Sequence, residues 1–272
     1  MKKIIATLMA GIMAVSALAG CAGEQKPAEK TNTPAASDSD LAYVQDKGTL
    51  IVGITEFEPM DYKNKSGEWI GFDADMAKLF AQELGVKVEF AEIDWDNKVM
   101  ELDGKTVDCV WNGMTLTDEV KSAMDCSVPY CNNAQVVVVK ADAAKKYETA
   151  EACQELTFAV ESGSAGHEAA KENGFEFTEV KDQASALMEV ASGTSDAAII
   201  DSLMAAAMVG EGTGYEQLTY TVSLTSEEYG VGFRKGSDLT KKFNDFFNEK
   251  TASGDVEKIA KEYKVQAALI KE

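Results

Sequence analysis

The 272-residue sequence contains a single histidine, His167, and a single arginine, Arg234. One imidazole cannot support a zinc site around Cys126 and Cys131, which lie five positions apart, and no other cysteine pair has metal-ligand spacing. With no G-x-S-x-G stretch and only His167 as base, serine–histidine hydrolysis is equally poorly supplied. Positive charge is scarce throughout: 26 basic residues face 46 acidic ones, a formal net charge of −20. Such a surface repels the phosphates of nucleic acid and anionic lipid, and neither is expected as a partner.

What is present begins with Lys2 and Lys3, ahead of an apolar run from Ile4 to Ala19 that is too short and too abruptly ended for a stable membrane span. The run finishes in "LAGC", the pattern of a bacterial lipoprotein signal whose cysteine, here Cys21, becomes the lipidated N-terminus. The following "AGEQKPAEKTNTPAASDSD" carries no large apolar residue at any regular period and cannot bury a core. As a flexible coil it would separate its ends by roughly 25 Å, enough to hold a domain clear of a membrane. Residues 1–20 are therefore expected to be a signal and 21–40 a tether. Once Lys2 and Lys3 are removed with the signal, 24 basic residues stand against 46 acidic. Cys109, inside the apolar "VDCVW", is expected to be a buried free thiol; disulfides among Cys126, Cys131 and Cys153 are left open.

From Leu41 strand-like and helix-like segments alternate, the mark of an α/β fold with largely parallel strands. "TLIVGIT" is a strand; Met76, Leu79, Phe80 and Leu84 recur at helical spacing after Asp73, a possible cap; "VKVEFAE" and "DCVWN" are strands separated by a helix around Val99 and Leu102. After the β-branched "QVVVVK" the alternation restarts with "LTFAV", "FEFTEV" and "DAAII" between helices at Ala165–Glu172, Ala184–Ala191 and Asp201–Met208. Two such units in series imply two lobes. Leu239, Phe243, Phe246 and Phe247, then Val256, Ile259, Ala260 and Tyr263, form apolar stripes separated by Gly254 and belong to the core.

Six segments in order, "GEWIGFDADMAKLFAQELG", "VDCVWNGMTLTDE", "SVPY", "ESGSAG", "SDAAIID" and "GVGFRKGS", give the chain its resemblance to the family 3 extracellular solute-binding proteins of ATP-driven amino-acid importers, from about Thr49 to Tyr263. The resemblance implies an α/β, two-lobed periplasmic-binding-protein-like fold (type II), with lobes joined by two crossover strands. The expected division is 41–133 with 231–272 in one lobe and 134–230 in the other, with crossovers near Asn132–Gln135 and Tyr229–Val231. It further implies a monomeric, cofactor-free receptor that is held outside the cytoplasm by lipidated Cys21 and delivers an amino acid or amine to an importer permease. Secreted dehydratases share the fold, so carboxylate-driven elimination using Glu161 or Asp201 is the rival activity.

Carried over residue by residue, Gly113 and Thr115 match positions that hold a ligand's carboxylate or other polar atoms. Ser164 matches a hydroxyl on the opposite lobe, and Asp201 the acid that accepts an ammonium, although a helix-capping role is an alternative for it. Phe57 and Trp95 fall where solutes are sandwiched, and Glu161 where a solute side chain is reached. Trp111 is as easily core as pocket, His167 is expected to be exposed, and Arg234 to serve the hinge or surface. The departure is "TDEV": where the family has T-x-E-R, whose arginine grips an α-carboxylate, this sequence has Val120, and Lys121 lies about a hundred degrees round the helix. With Glu56, Glu58, Glu161 and Asp201 near the cleft, a cationic ligand is expected.

Overall fold

The computed structural model describes residues 39–271; the signal, Cys21 and the tether as far as residue 38 lie outside the described residues. Two mixed sheets carry the chain. In the first, Lys87–Glu92, Thr49–Ile54 and Cys109–Thr115 run parallel, and antiparallel Glu227–Phe233 follows, flanked by Asp125–Cys126 and paired at its start with Cys131–Asn133. In the second, Glu176–Val180, Thr157–Glu161 and Ala197–Asp201 run parallel, Gln135–Lys140 follows antiparallel to them, and Leu218–Ser223 closes the edge antiparallel to Gln135–Lys140. The central strand residues from Cys109 to Met114 are all buried, as their near-continuous apolar run requires of a strand covered on both faces.

The chain leaves the first sheet after Asn133, enters the second at Gln135, and is back in the first by Glu227. The two passages lie side by side: Leu224 N–H donates to the Gln135 carbonyl at 2.8 Å and Gln135 N–H to Thr225 Oγ1 at 2.7 Å. Residues 227–230, placed with the second lobe from sequence, belong to the first sheet, because Glu227–Tyr229 already pairs with Asn133–Cys131.

Helical periodicity becomes packing in the first lobe. Helix Phe72–Leu84 turns Phe80 against Phe243 and Phe246, with ring centroids 5.4 and 5.1 Å apart, and Trp111 meets Phe243 edge-on at 4.9 Å, so Trp111 is a core residue. In the second lobe Val137 and Val139 pack with Phe158, which stacks on Phe175 at 4.6 Å. Asp73, read as a possible helix cap, instead sits inside the first turn of its helix with its carboxylate turned into the protein.

Two further expectations are corrected. Asp40, assigned to the tether, opens helix Asp40–Lys47 and is buried because Arg234 Nε donates to it at 2.9 Å. Arg234 is correspondingly neither at the hinge nor on the surface: its Nη1 donates to the carbonyls of Leu102 and Val107 at 2.9 and 2.8 Å, and its Nη2 lies 3.7 Å from Asp108. Cys109, Cys126, Cys131 and Cys153 are all free thiols.

Candidate ligand-binding site

A cavity of about 190 Å³ opens between the lobes. It is smaller than the roughly 300–1,000 Å³ of drug-sized sites and suits a solute no larger than a single amino acid. The structure brings together on its wall all seven residues named from sequence: Phe57, Trp95, Gly113 and Thr115 from the first lobe, and Glu161, Ser164 and Asp201 from the second.

The first wall is held from behind by a buried polar network. Asn112 Oδ1 accepts from Thr55 N–H and Oγ1 at 2.9 and 2.8 Å, while its Nδ2 donates to the Thr55 carbonyl at 3.0 Å and Asp61 Oδ2 at 2.9 Å. Asp73 Oδ2 accepts from Gly113 N–H at 2.6 Å and from the Tyr130 hydroxyl at 2.7 Å. Burial raises both carboxyls, Asp61 well above the usual range and Asp73 to about 7; the charge of Asp73 adds to the shift of Asp61. Gly113 has a φ of +54°, and a Cβ there would fall 2.5 Å from the Phe57 ring and 3.1 Å from Tyr229. The strand end can therefore bring its backbone to the cavity only as glycine. Its N–H, however, is already committed to Asp73. Thr115 Oγ1 donates to Glu227 Oε1 at 2.9 Å and keeps its acceptor capacity.

On the second wall Ser164 caps helix Ala165–Asn173 by accepting His167 N–H at 3.1 Å, which leaves its hydroxyl proton free to donate into the cavity. Asp201 precedes helix Ser202–Met208 but makes no side-chain cap bond. Its carboxylate accepts from Asn133, Gln135, Tyr229 and Gln183. Burial and the charge of Glu227 push Asp201 up and the donors pull it back, leaving it at about 7. Glu161 is buried, and desolvation followed by the charges of Asp201 and Asp182 lifts it to about 8.

Several wall residues carried no sequence signal. Lys98 is buried and crosses the cleft: Nζ donates to the Gly163 carbonyl on the opposite lobe at 2.8 Å and to the Trp95 carbonyl at 3.2 Å, and lies 5.2 Å from the centre of the Trp95 ring. Burial lowers its pKa. Lys171 is also on the wall, so the cleft is less bare of positive charge than the sequence reading expected, and Glu56 and Glu58 do not line it. Asp96, Glu119 and Glu168 do. His167, expected to be exposed, is buried on the wall, its Nδ1 accepting Gly163 N–H at 3.1 Å. Val120, at the arginine position of the resemblance, is buried there too. Among the described residues no group of three or more histidine, cysteine or acidic side chains is arranged to hold a metal ion.

The model of the family described as "Bacterial extracellular solute-binding proteins, family 3" matches residues 50–266. The chain is 31% identical over 224 residues to the arginine-binding extracellular protein ArtP of Bacillus subtilis, covering 80% of this chain and 86% of that one. Among solved structures it resembles the ancestral amino acid-binding protein AncCDT-1, a precursor of cyclohexadienyl dehydratase, at 33% identity and a TM-score of 0.76, covering 83% of this chain and 99% of that one. It also resembles an ABC uptake transporter substrate binding protein from Streptococcus pneumoniae with bound histidine, at 27% identity and a TM-score of 0.78, covering 86% and 100%.

Proposed function

The chain belongs to the bacterial extracellular solute-binding proteins, family 3, a binding protein and not an enzyme, and from that premise we propose that it captures a small cationic amino acid or amine and delivers it to an ABC importer. The observation that carries this reading is the charge of the cavity wall. Asp96, Glu119, Glu161, Glu168 and Asp201 line it against two cations, Lys98 and Lys171; Lys98 is occupied with backbone carbonyls, and Val120 fills the place of a carboxylate-gripping guanidinium. The two lobes close on the solute by bending at the paired passages near 133–135 and 223–227.

A thermal-shift screen tests the reading, since a solute that binds only the folded state raises its stability by mass action. Agmatine, 1,4-diaminobutane and L-arginine are expected to raise the melting temperature more than L-glutamate or L-aspartate, and Val120→Arg should move preference from agmatine toward L-arginine. Tight binding of glutamate by the wild type would overturn it.

We further propose attachment to the membrane through lipid on Cys21, supported by "LAGC" and the acidic segment behind it. Cys21→Ala is expected to appear in the soluble fraction; a variant that stays with the membrane pellet would rule out this anchor.

A further inference from the structure

We propose that the cation of the solute, a primary ammonium or a guanidinium, is seated on Glu161, and that Asp201 acts instead as a hinge-side positioning residue. The assignment rests on the reading of the cavity as a cationic-solute site and deepens it.

Asp201 and Glu161 end adjacent parallel strands of the second sheet, and both reach the cavity. Their hydrogen-bonding states differ: Gln183 bonds the Glu161 carboxyl as well, but Glu161 Oε1 is left without a partner. A carboxylate offers about four lone-pair positions. Asp201 Oδ1 accepts from Asn133 Nδ2, from Gln135 Nε2 at 3.1 Å and from the Tyr229 hydroxyl at 2.6 Å, and Oδ2 accepts from Gln183 Nε2. Asp201 N–H in turn donates to Gln183 Oε1 at 2.8 Å.

Two of those donors, Asn133 and Gln135, stand on the outward passage, and Tyr229 stands on the first-sheet strand that the return passage enters. The same Asn133 and Gln135 amide groups also donate to Glu227 Oε1, each at 2.7 Å. Asp201 is thus tied into a network that spans the hinge: Oδ1 is fully committed and Oδ2 keeps a single lone pair, so a solute ammonium finds far less acceptor capacity there than at Glu161.

Glu161 is 2% exposed and its Oε1 has no hydrogen-bond partner, although it lies on the cavity wall. The nearby ammonium of Lys98 does not fill that need, since it donates to Trp95 and Gly163. A buried acceptor without a donor is costly to leave so, and one that faces an open cavity is completed by what enters it. The wall around it carries Asp201, Asp96 and Glu168, so a donor that also brings positive charge is favoured over a neutral one. The aromatic residues Trp95 and Phe57 on the facing wall suit the methylene chain behind such a head group.

Calorimetric titration with agmatine and with L-arginine of the wild type, Glu161→Gln and Asp201→Asn tests the assignment. Glu161→Gln should weaken the tighter probe about 30-fold or more, as loss of one partner of a buried charge pair does, while Asp201→Asn should cost less than about tenfold. A measurement without solute separates the roles independently. Asp201→Asn should lower the melting temperature by breaking the hinge network, whereas Glu161→Gln should leave it unchanged or raised, because an unsatisfied carboxyl is replaced by an amide. Binding by Glu161→Gln within threefold of wild type overturns the assignment alone, as does a folded Asp201→Asn that binds neither probe. Failure of the wild type to bind either probe overturns the cationic-solute reading and this assignment together.

Discussion

Arg234→Met is expected to lower folding stability by about 3–5 kcal/mol, the usual consequence of removing one member of a buried ionic group while its partners stay behind. Asp40 and the fully buried Asp108 would lose their guanidinium neighbour, and the carbonyls of Leu102 and Val107 their donor. Lys47 reaches Asp108 at 2.7 Å and would relieve it in part; Lys105, 3.5 Å from Asp40, is half exposed and would relieve it less. The damage should spread to helix Asp40–Lys47, because Arg234 is what turns Asp40 inward. Urea denaturation would register this as a lower midpoint at unchanged slope. A loss below about 1 kcal/mol would mean that the lysines suffice, in line with the small worth of exposed pairs.

Cation affinity and folding stability are expected to move in opposite directions with pH. Burial, reinforced by Asp201 and Asp182 and opposed by Gln183 and Lys98, raises the Glu161 carboxyl from an ordinary 4.5 to about 8. Between those values the folded protein holds a proton that the unfolded chain has released. Stability without solute therefore falls as pH rises through that window, and the stabilising protonation is gone above about 8. A solute ammonium needs the ionised carboxylate. Its affinity should therefore drop by up to about tenfold for each pH unit below the carboxyl's pKa, while an alkyl amine, like lysine, stays charged throughout. Calorimetry in two buffers of different ionisation enthalpy would detect the released proton. A flat affinity profile, or one that Glu161→Gln leaves unaltered, would contradict the account.

Much of the fold was legible because the strands and helices carry their periods openly. The valines of "QVVVVK" and the spacing of Met76, Leu79, Phe80 and Leu84 mark a strand and a helix before any contact is known. The short strands at Tyr62–Lys63 and Trp69–Ile70 were not read, since two residues are too few to display a period. The seven wall residues were reached through motif resemblance, whereas Lys98, Gln183 and Glu227 were not. Lys98 lies on a six-residue helix like any solvated lysine, and only the approach of Gly163 from the other lobe makes it a wall residue. Glu227 gains its role from Thr115, Asn133 and Gln135, all distant in sequence. His167 and Arg234 were misplaced for one reason: a lone polar residue declares no partner in the sequence, and the partner decides whether it is buried.

Gly163 acts as a gauge for the cleft. Its Cα faces Asp96 so closely that a Cβ would stand 2.7 Å from the Asp96 Cα, where ordinary contact begins near 3.4 Å, and its carbonyl receives Lys98, which like Asp96 comes from the opposite lobe. The thickness of one missing methyl group therefore sets how near the lobes approach. Solute selection in such a cleft depends on the width of this stop as well as on the charges behind it, and evolution can adjust the enclosed volume at residue 163 while leaving Glu161 untouched.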